Sequence, residues 1–121
     1  MTDKTASWPN RKFQIWRYVV SHRQLLLRSP KSESASTRVD VLFKDVSFMC
    51  LSADLSGLSI QEADVELRET LQTIPTISKC HMLLILQAAP ILQYVVAAAF
   101  ISSEDDKEYY DPSALIAEGH L

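Results

Sequence analysis

The chain of 121 residues is long enough for one domain whose core needs no disulfide or metal. Its 47% hydrophobic and 22% charged residues are ordinary for a globular protein, and a net charge of −3 favours neither nucleic acid nor a membrane surface. The charge is uneven: residues 1–44 carry nine basic and three acidic residues (+6), and residues 45–121 carry three and twelve (−9). Without a dense Lys/Arg cluster, we expect these charges to neutralise largely within one fold, with a basic binding face as the alternative.

The first ten residues are polar and contain a break at Trp8-Pro9-Asn10. This pattern predicts a flexible N-terminal arm over residues 1–10, followed by a single globular domain over 11–121. The opening MTDKTASWPNRK has no apolar stretch of the kind a signal peptide needs, and both cysteines, Cys50 and Cys80, lie in apolar surroundings. We therefore expect a reduced, cytoplasmic protein, with a disulfide as the alternative.

β-branched and aromatic residues predict two strands near the N-terminus, over residues 13–20 and 24–29, joined by a turn at 21–23. Trp16 and Tyr18 are two residues apart, so on a strand they share a face. Our interpretation is that both belong to the core, because aromatic side chains dominate cores by area.

Apart from Leu42, residues 38–44 alternate between apolar and polar, which is typical of a half-buried strand. Val39, Val41 and Phe43 form the predicted inner face. The opposite face, which we expect to be polar, carries Arg38, Asp40 and Lys44. Beyond Lys44-Asp45 the apolar positions shift by one residue, to Val46, Phe48 and Cys50, so a bulge or turn is predicted there.

Gly57 is the only glycine away from the C-terminal end, and it predicts a turn. Ser59 and Glu62 have the spacing of a capping box, and apolar residues follow at helical intervals as far as Pro75. These signals predict a helix over about residues 60–72, with a strand over part of this segment as the competing interpretation.

Residues 82–101 (MLLILQAAPILQYVVAAAFI) are a run of twenty residues without a charged side chain, which is long enough to cross a membrane as a helix. Pro90 and two glutamines interrupt it, and hydrocarbon could not satisfy their polar groups. We therefore favour two core strands, over 81–87 and 92–102, joined across 88–90. The three alanines at 97–99 leave a helix as the structural alternative.

Together these elements predict an α+β protein. We expect a mostly antiparallel β-sheet, forming an open sheet or a partly closed barrel, with one helix packed on it.

The sequence contains no catalytic motif. The two glycines, at positions 57 and 119, form neither of the phosphate-binding loops GxxxxGK[ST] and GxGxxG, and HExxH, CxxC and GxSxG do not occur. We therefore predict no catalytic residue, no metal ligand and no cofactor, and we lean to a non-enzymatic protein. A small-molecule or enzymatic role for His22, Cys50 and His81 in a pocket of the sheet remains an alternative, and the acidic run at 104–108 is interpreted as a solvated loop.

Aromatic side chains beside charged ones are typical binding anchors. On this basis we predict a soluble protein-interaction or accessory module. Its predicted partner-binding residues are Arg11, Lys12, Arg17, Arg23, Tyr109 and Tyr110. The expected partner is a protein. A homo-oligomer formed through an apolar edge at 92–102 and a nucleic acid bound by the basic N-terminal half are alternatives, and no membrane partner is expected.

Overall fold

A computed structural model describes residues 5–70, 81–87 and 91–116. Within them the chain forms eight strands, one 3₁₀ turn over Val20–His22 and one short helix, α1 (Val65–Thr70). The strands are β1 (Thr5–Val19), β2 (Gln24–Ser29), β3 (Arg38–Lys44), β4 (Phe48–Cys50), β5 (Asp54–Glu62), β6 (Met82–Gln87), β7 (Gln93–Ala97) and β8 (Ala99–Asp105). The 3₁₀ turn joins β1 to β2 where the sequence predicts a turn.

All eight strands belong to one antiparallel sheet in the order β4-β7-β6-β5-β1-β2-β3-β8. The end strands β4 and β8 follow directly on β3 and β7 in the chain. β3 pairs with β8, and β4 pairs with β7. Where β3 leads into β4 and β7 leads into β8, two hydrogen bonds link the two connections: Ser47 N–H donates to the carbonyl oxygen of Val96, and Ala98 N–H donates to that of Lys44. This shared junction curls the open sheet back towards itself.

The curled sheet surrounds one main core. Seven of the eight strands contribute buried side chains to it, among them Phe13, Leu27, Phe43, Ile60 and Phe100. Val39, Val41 and Phe43 point into this core, as their alternation predicts. The predicted fold class, a mostly antiparallel sheet with one helix packed on it, is confirmed.

Two smaller apolar clusters lie outside this main core. One joins Leu83 and Val96 to the partly buried Leu67 of α1. The other joins Leu26 and Leu42 to Ile116, near the C-terminus. We call residues 106–116 the C-terminal strap, because they follow β8 and return to pack across β2 and β3.

The predicted N-terminal arm is wrong for residues 5–10. Thr5 to Trp8 pair with β5, from Gln61 to Leu58, and β1 continues without a break to Val19. The Trp8-Pro9-Asn10 break is instead absorbed as a register shift in the β1–β5 ladder, between Trp8 and Lys12. Residues 1–4 lie outside the described part of the chain.

The predicted turn at Gly57 and the helix start at Ser59 are also wrong, because both residues lie within β5. Gly57 has a φ of +82°, and a Cβ at this position would lie 2.9 Å from the carbonyl oxygen of Pro9. The glycine therefore accommodates the irregularity in β1. Helix α1 starts later, where the Asp64 carboxylate accepts a hydrogen bond from the backbone N–H of Leu67. The predicted end of the helix, at 71–72, falls outside the described residues.

The uncharged run forms strands, as predicted, with Ala98 dividing the second segment into β7 and β8. Within the described ranges, no helix is long and apolar enough to cross a membrane. The predicted connection at 88–90 lies outside those ranges.

The predicted irregularity after β3 is present, with Asp45 at a φ of 53°. The inner face expected beyond it holds only for Val46, which is buried in the main core. Phe48 instead stacks on Tyr94 outside that core, and Cys50 is exposed.

Candidate functional site

Arg28 on β2 and Asp40 on β3 form a completely buried ion pair on the outer face of the sheet. Their side chains are 0% and 1% exposed, and Arg28 Nε and Nη2 donate to the two Asp40 carboxylate oxygens at 2.8 and 3.1 Å. Arg28 Nη1 donates to the carbonyl oxygen of Tyr109 at 2.8 Å, and its guanidinium lies 4.6 Å from the Trp16 ring centre. The guanidinium is thus bound along its edge by Asp40 and Tyr109 and stacked on one face by Trp16.

Arg38, also 0% exposed, holds the strap at three further points. Its Nη1 donates to the carbonyl oxygens of Glu108 and Asp111, each at 2.8 Å, and its Nη2 donates to that of Pro112 at 3.2 Å. The Asp105 carboxylate, 3.3 Å from Arg38 Nε, balances its charge. The two arginines therefore fix the strap through its main chain.

Arg38 and Asp40 belong to the predicted polar face of a half-buried strand, yet both are buried. The alternation places them on the outer face as predicted, but the strap covers that face. No local pattern near Arg38 announces this cover, because the covering residues are distant in sequence. Only the combination of Arg28, Arg38 and Asp40 on two neighbouring strands could have indicated burial, because their opposite charges can pair with one another away from water.

The strap presents an aromatic patch formed by Trp16, Tyr109 and Tyr110. Tyr109 packs edge-on against Trp16, with ring centres 4.9 Å apart, and against Tyr110 at 4.7 Å. Tyr110 is 83% exposed and Tyr109 37%. Trp16 is thus partly buried beneath the strap, in the outer cluster, and not in the main core. Tyr18, the other aromatic expected in the core, is 36% exposed.

A pocket of about 640 Å³, lined mainly by residues with polar side chains, lies next to the patch. The link is Gln14, which lines the pocket and accepts a hydrogen bond from the Tyr109 hydroxyl at 3.1 Å. The irregular part of β1 contributes Asn10, Arg11 and Lys12, β5 contributes Asp54, and residues 29–35 form the facing wall. Patch and pocket together form a continuous surface along the outer side of β1.

Arg11 has a structural role in the pocket wall. It donates to the hydroxyl and carbonyl oxygens of Ser29 and to the same two groups of Thr37, at 2.6 to 3.2 Å. Lys12, by contrast, is exposed and makes no ion pair or side-chain hydrogen bond in the part of the chain that is described. Of these two predicted binding residues, Lys12 has the cation that is available to a ligand.

The other predicted binding residues occupy two different regions. Arg17 follows Trp16 at the β1–β2 register shift, near the aromatic patch. Arg23 lies at the 3₁₀ turn with a φ of 50° and pairs with Asp45 at 3.6 Å. The structure thus brings Tyr109 and Tyr110 together with the pocket that contains Arg11 and Lys12, while Arg23 belongs to the turn between β1 and β2.

Much of the N-terminal positive charge is neutralised inside the fold. Besides the buried pairs, Lys31 binds the Glu108 carboxylate at 3.0 Å, and Arg23 binds Asp45. The pairs of Arg23, Lys31 and Arg38 join residues 1–44 to acidic residues that follow them, whereas Arg28 pairs with Asp40 inside that segment.

The residues considered for chemistry lie on separate elements. His22 is in the 3₁₀ turn, Cys50 is on β4, and His81 precedes β6 with its Nε2 3.3 Å from Asp45. Among the described residues, no group of three or more His, Cys, Asp or Glu side chains could hold a metal ion. Burial, helped by the charge of the Cys50 thiolate, raises the pKa of Tyr94, which pairs with Cys50 across β4 and β7.

Comparison of the chain with protein-family models, curated proteins and solved structures finds no match in any of the three.

Proposed function

We propose that this protein is a small, non-enzymatic interaction module that binds a protein partner through the aromatic patch. The observation that carries the proposal is the exposed Tyr110 ring, supported by Tyr109 and Trp16. Tyrosine and tryptophan provide large contact areas with few rotatable bonds, and they are enriched where partners bind.

The support beneath the patch strengthens this proposal. Four main-chain oxygens of the strap, from residues 108, 109, 111 and 112, accept hydrogen bonds from buried guanidinium groups. A surface held in one conformation before binding loses less conformational entropy when a partner docks. The aromatic rings are therefore preorganised for a partner.

The charge around the patch favours a protein over a nucleic acid. Asp106, Glu108 and Asp111 are exposed on the strap beside the tyrosines, where Lys107 lies between them in the chain and Lys31 pairs with Glu108 at 3.0 Å. Carboxylates in these positions repel phosphate groups and attract Lys or Arg side chains. A partner with a basic surface, whose arginines could stack on Tyr110, fits both the charge and the rings.

The test is affinity capture from a lysate of the source cells with the wild-type protein and with Tyr110→Ser, read by quantitative mass spectrometry. We expect one or more proteins to be captured by the wild type and depleted at least about tenfold with Tyr110→Ser, as for an aromatic anchor residue. Val65→Ser on α1 is the matched control, because Val65 is 73% exposed and lies on a different element. Equal capture by all three proteins would reject the aromatic patch as the binding surface.

The alternatives give different results in the same preparation. A nucleic-acid-binding module would bind oligonucleotides with an affinity that falls steeply with salt. A homo-oligomer would show a mass above that of one chain in sedimentation. A cytoplasmic location, which we also propose, would be checked by fractionation of the source cells.

A further inference from the structure

The pocket beside the aromatic patch has the features of a separate ligand site. Its volume of about 640 Å³ lies within the range of small-molecule sites. Polar groups converge on it from β1, β5 and the 29–35 segment. Nothing in the proposed protein contact requires this concavity, so its use is a separate question.

Lys12 and Asp54 set the chemistry of the pocket. In the β1–β5 ladder Gln14 is opposite Asp54 and Lys12 is opposite Ser56, so Lys12 and Asp54 are diagonal neighbours. Strand geometry puts such neighbours roughly 7 Å apart, on one face of the sheet. Both side chains line the pocket, yet within the described ranges they form no ion pair with each other or with any other residue.

Because these two charges are separate, the Lys12 end of the pocket attracts anions and the Asp54 end attracts hydrogen-bond donors. Arg11 adds positive charge near Lys12, because its own partners on Ser29 and Thr37 are neutral oxygens. Asp54 offers only acceptor atoms when ionised. A ligand that satisfies both ends carries an oxyanion and, a few ångströms away, an ammonium or another hydrogen-bond donor.

We propose that this pocket binds a small zwitterionic ligand, with a carboxylate or phosphate group at Lys12 and a donor group at Asp54. Lys12 binds the oxyanion directly, and Arg11 contributes its charge while holding the pocket wall in place. Asn10, Ser32 and Ser34 also line the pocket and carry groups that can donate or accept hydrogen bonds, with the two serine hydroxyls 3.2 Å from each other.

The test is a titration of the ¹⁵N-labelled full chain with O-phospho-L-serine, L-glutamate and inorganic phosphate, followed through the backbone amide signals. At about 10 mM, well above a millimolar Kd, we expect O-phosphoserine or glutamate to shift the amides of residues 10–14 and 32–35 saturably. Comparison of these two compounds shows whether phosphate or carboxylate is the preferred anion. Absence of saturable shifts with either compound would overturn the proposal.

Three variants assign the two ends. Lys12→Gln is expected to weaken binding at least about tenfold, the loss typical of a charge-assisted hydrogen bond, while Lys44→Gln, which removes an exposed lysine of β3, leaves it unchanged. Asp54→Asn is expected to weaken the binding of the zwitterions but not that of inorganic phosphate, which has no ammonium group. Equal binding by Lys12→Gln and Lys44→Gln would reject the anion site, and equal binding by Asp54→Asn and wild type would reject the donor site.

Discussion

Arg28 and Asp40 are directly opposite each other on neighbouring strands, and each satisfies the other with two hydrogen bonds in a site that excludes water. Asp40 also lies 3.7 Å from Arg38, so one carboxylate serves both buried guanidinium groups. A buried pair of this kind contributes modestly when complete, but loss of one partner leaves an uncompensated charge.

The substitution Asp40→Asn is therefore expected to lower the free energy of unfolding by about 3 kcal/mol or more, since both arginines lose their shared anion. Urea denaturation followed by circular dichroism measures the change. Glu108→Gln is the control, because it removes the exposed pair with Lys31 and should cost less than about 1 kcal/mol. Similar losses for the two variants would contradict the assigned role of Asp40.

The strap should become accessible when Arg38 is replaced. Arg38→Met removes the hydrogen-bond donors to the carbonyl oxygens of Glu108, Asp111 and Pro112, while a long apolar side chain still fills the buried space. We expect faster tryptic cleavage after Lys107, under conditions in which the sheet stays folded, because local opening exposes the main chain to the protease. Lys31→Gln, which removes only the exposed contact with Glu108, should leave the cleavage rate near that of the wild type.

Gly57→Ala tests the irregularity in β1. A methyl group at a φ of +82°, 2.9 Å from the carbonyl oxygen of Pro9, forces the backbone of β1 or β5 to move. We expect a loss of about 1–3 kcal/mol in stability, seen as a lower thermal midpoint. Ser56→Ala, on the adjacent exposed residue of β5, is expected to be nearly neutral. A Gly57→Ala protein as stable as Ser56→Ala would mean that β1 relaxes without cost.

The raised pKa of Tyr94 predicts that the protein loses stability as the pH rises above 10.0. Its pKa is raised above the ordinary 10.0, first by burial and second by the negative charge of Cys50. Below pH 10.0 the phenol is neutral in the folded and unfolded chains, so it has no effect on their balance. As the pH rises further, the unfolded chain loses this proton first, and stability falls until the folded phenol also ionises.

Ultraviolet absorbance of tyrosinate during a pH titration, compared with Tyr94→Phe, measures this pKa. We expect Cys50→Ser to move it part of the way back to the ordinary value, and we expect Tyr94→Phe to lose less stability than the wild type above pH 10.0. A Tyr94 signal that titrates at or below the ordinary value would refute the predicted direction.

Much of the sheet could be predicted from the sequence, because period-two alternation reflects burial directly. Residues 38–44 revealed their inner face, and the interrupted apolar run revealed strands. The capping-box spacing of Ser59 and Glu62 failed because pairing with β1 and β6 outweighs a local helix signal.

The candidate site was less predictable. Tyr109, Tyr110 and Lys12 were predicted as binding residues from their types and neighbours, which stays a prediction, and the structure places them on one surface. The roles of Arg28, Arg38 and Asp40 could not be predicted, since alternation identifies the face of a strand but not the distant segment that covers it. The pocket likewise depends on a register shift between β1 and β5, which no short motif encodes.

The two buried arginines hold the strap through its main chain and not through its exposed side chains. Arg28 and Arg38 bind carbonyl oxygens, which every amino acid possesses. The side chains of Asp106 and Tyr110, by contrast, make no hydrogen bond in the described part of the chain. Replacement of these two side chains would alter the chemistry of the exposed surface while its backbone stays in position. The strap is therefore a surface loop whose exposed side chains can vary while its backbone is held in place, which suits it to acquiring new binding specificities by evolution or by library selection.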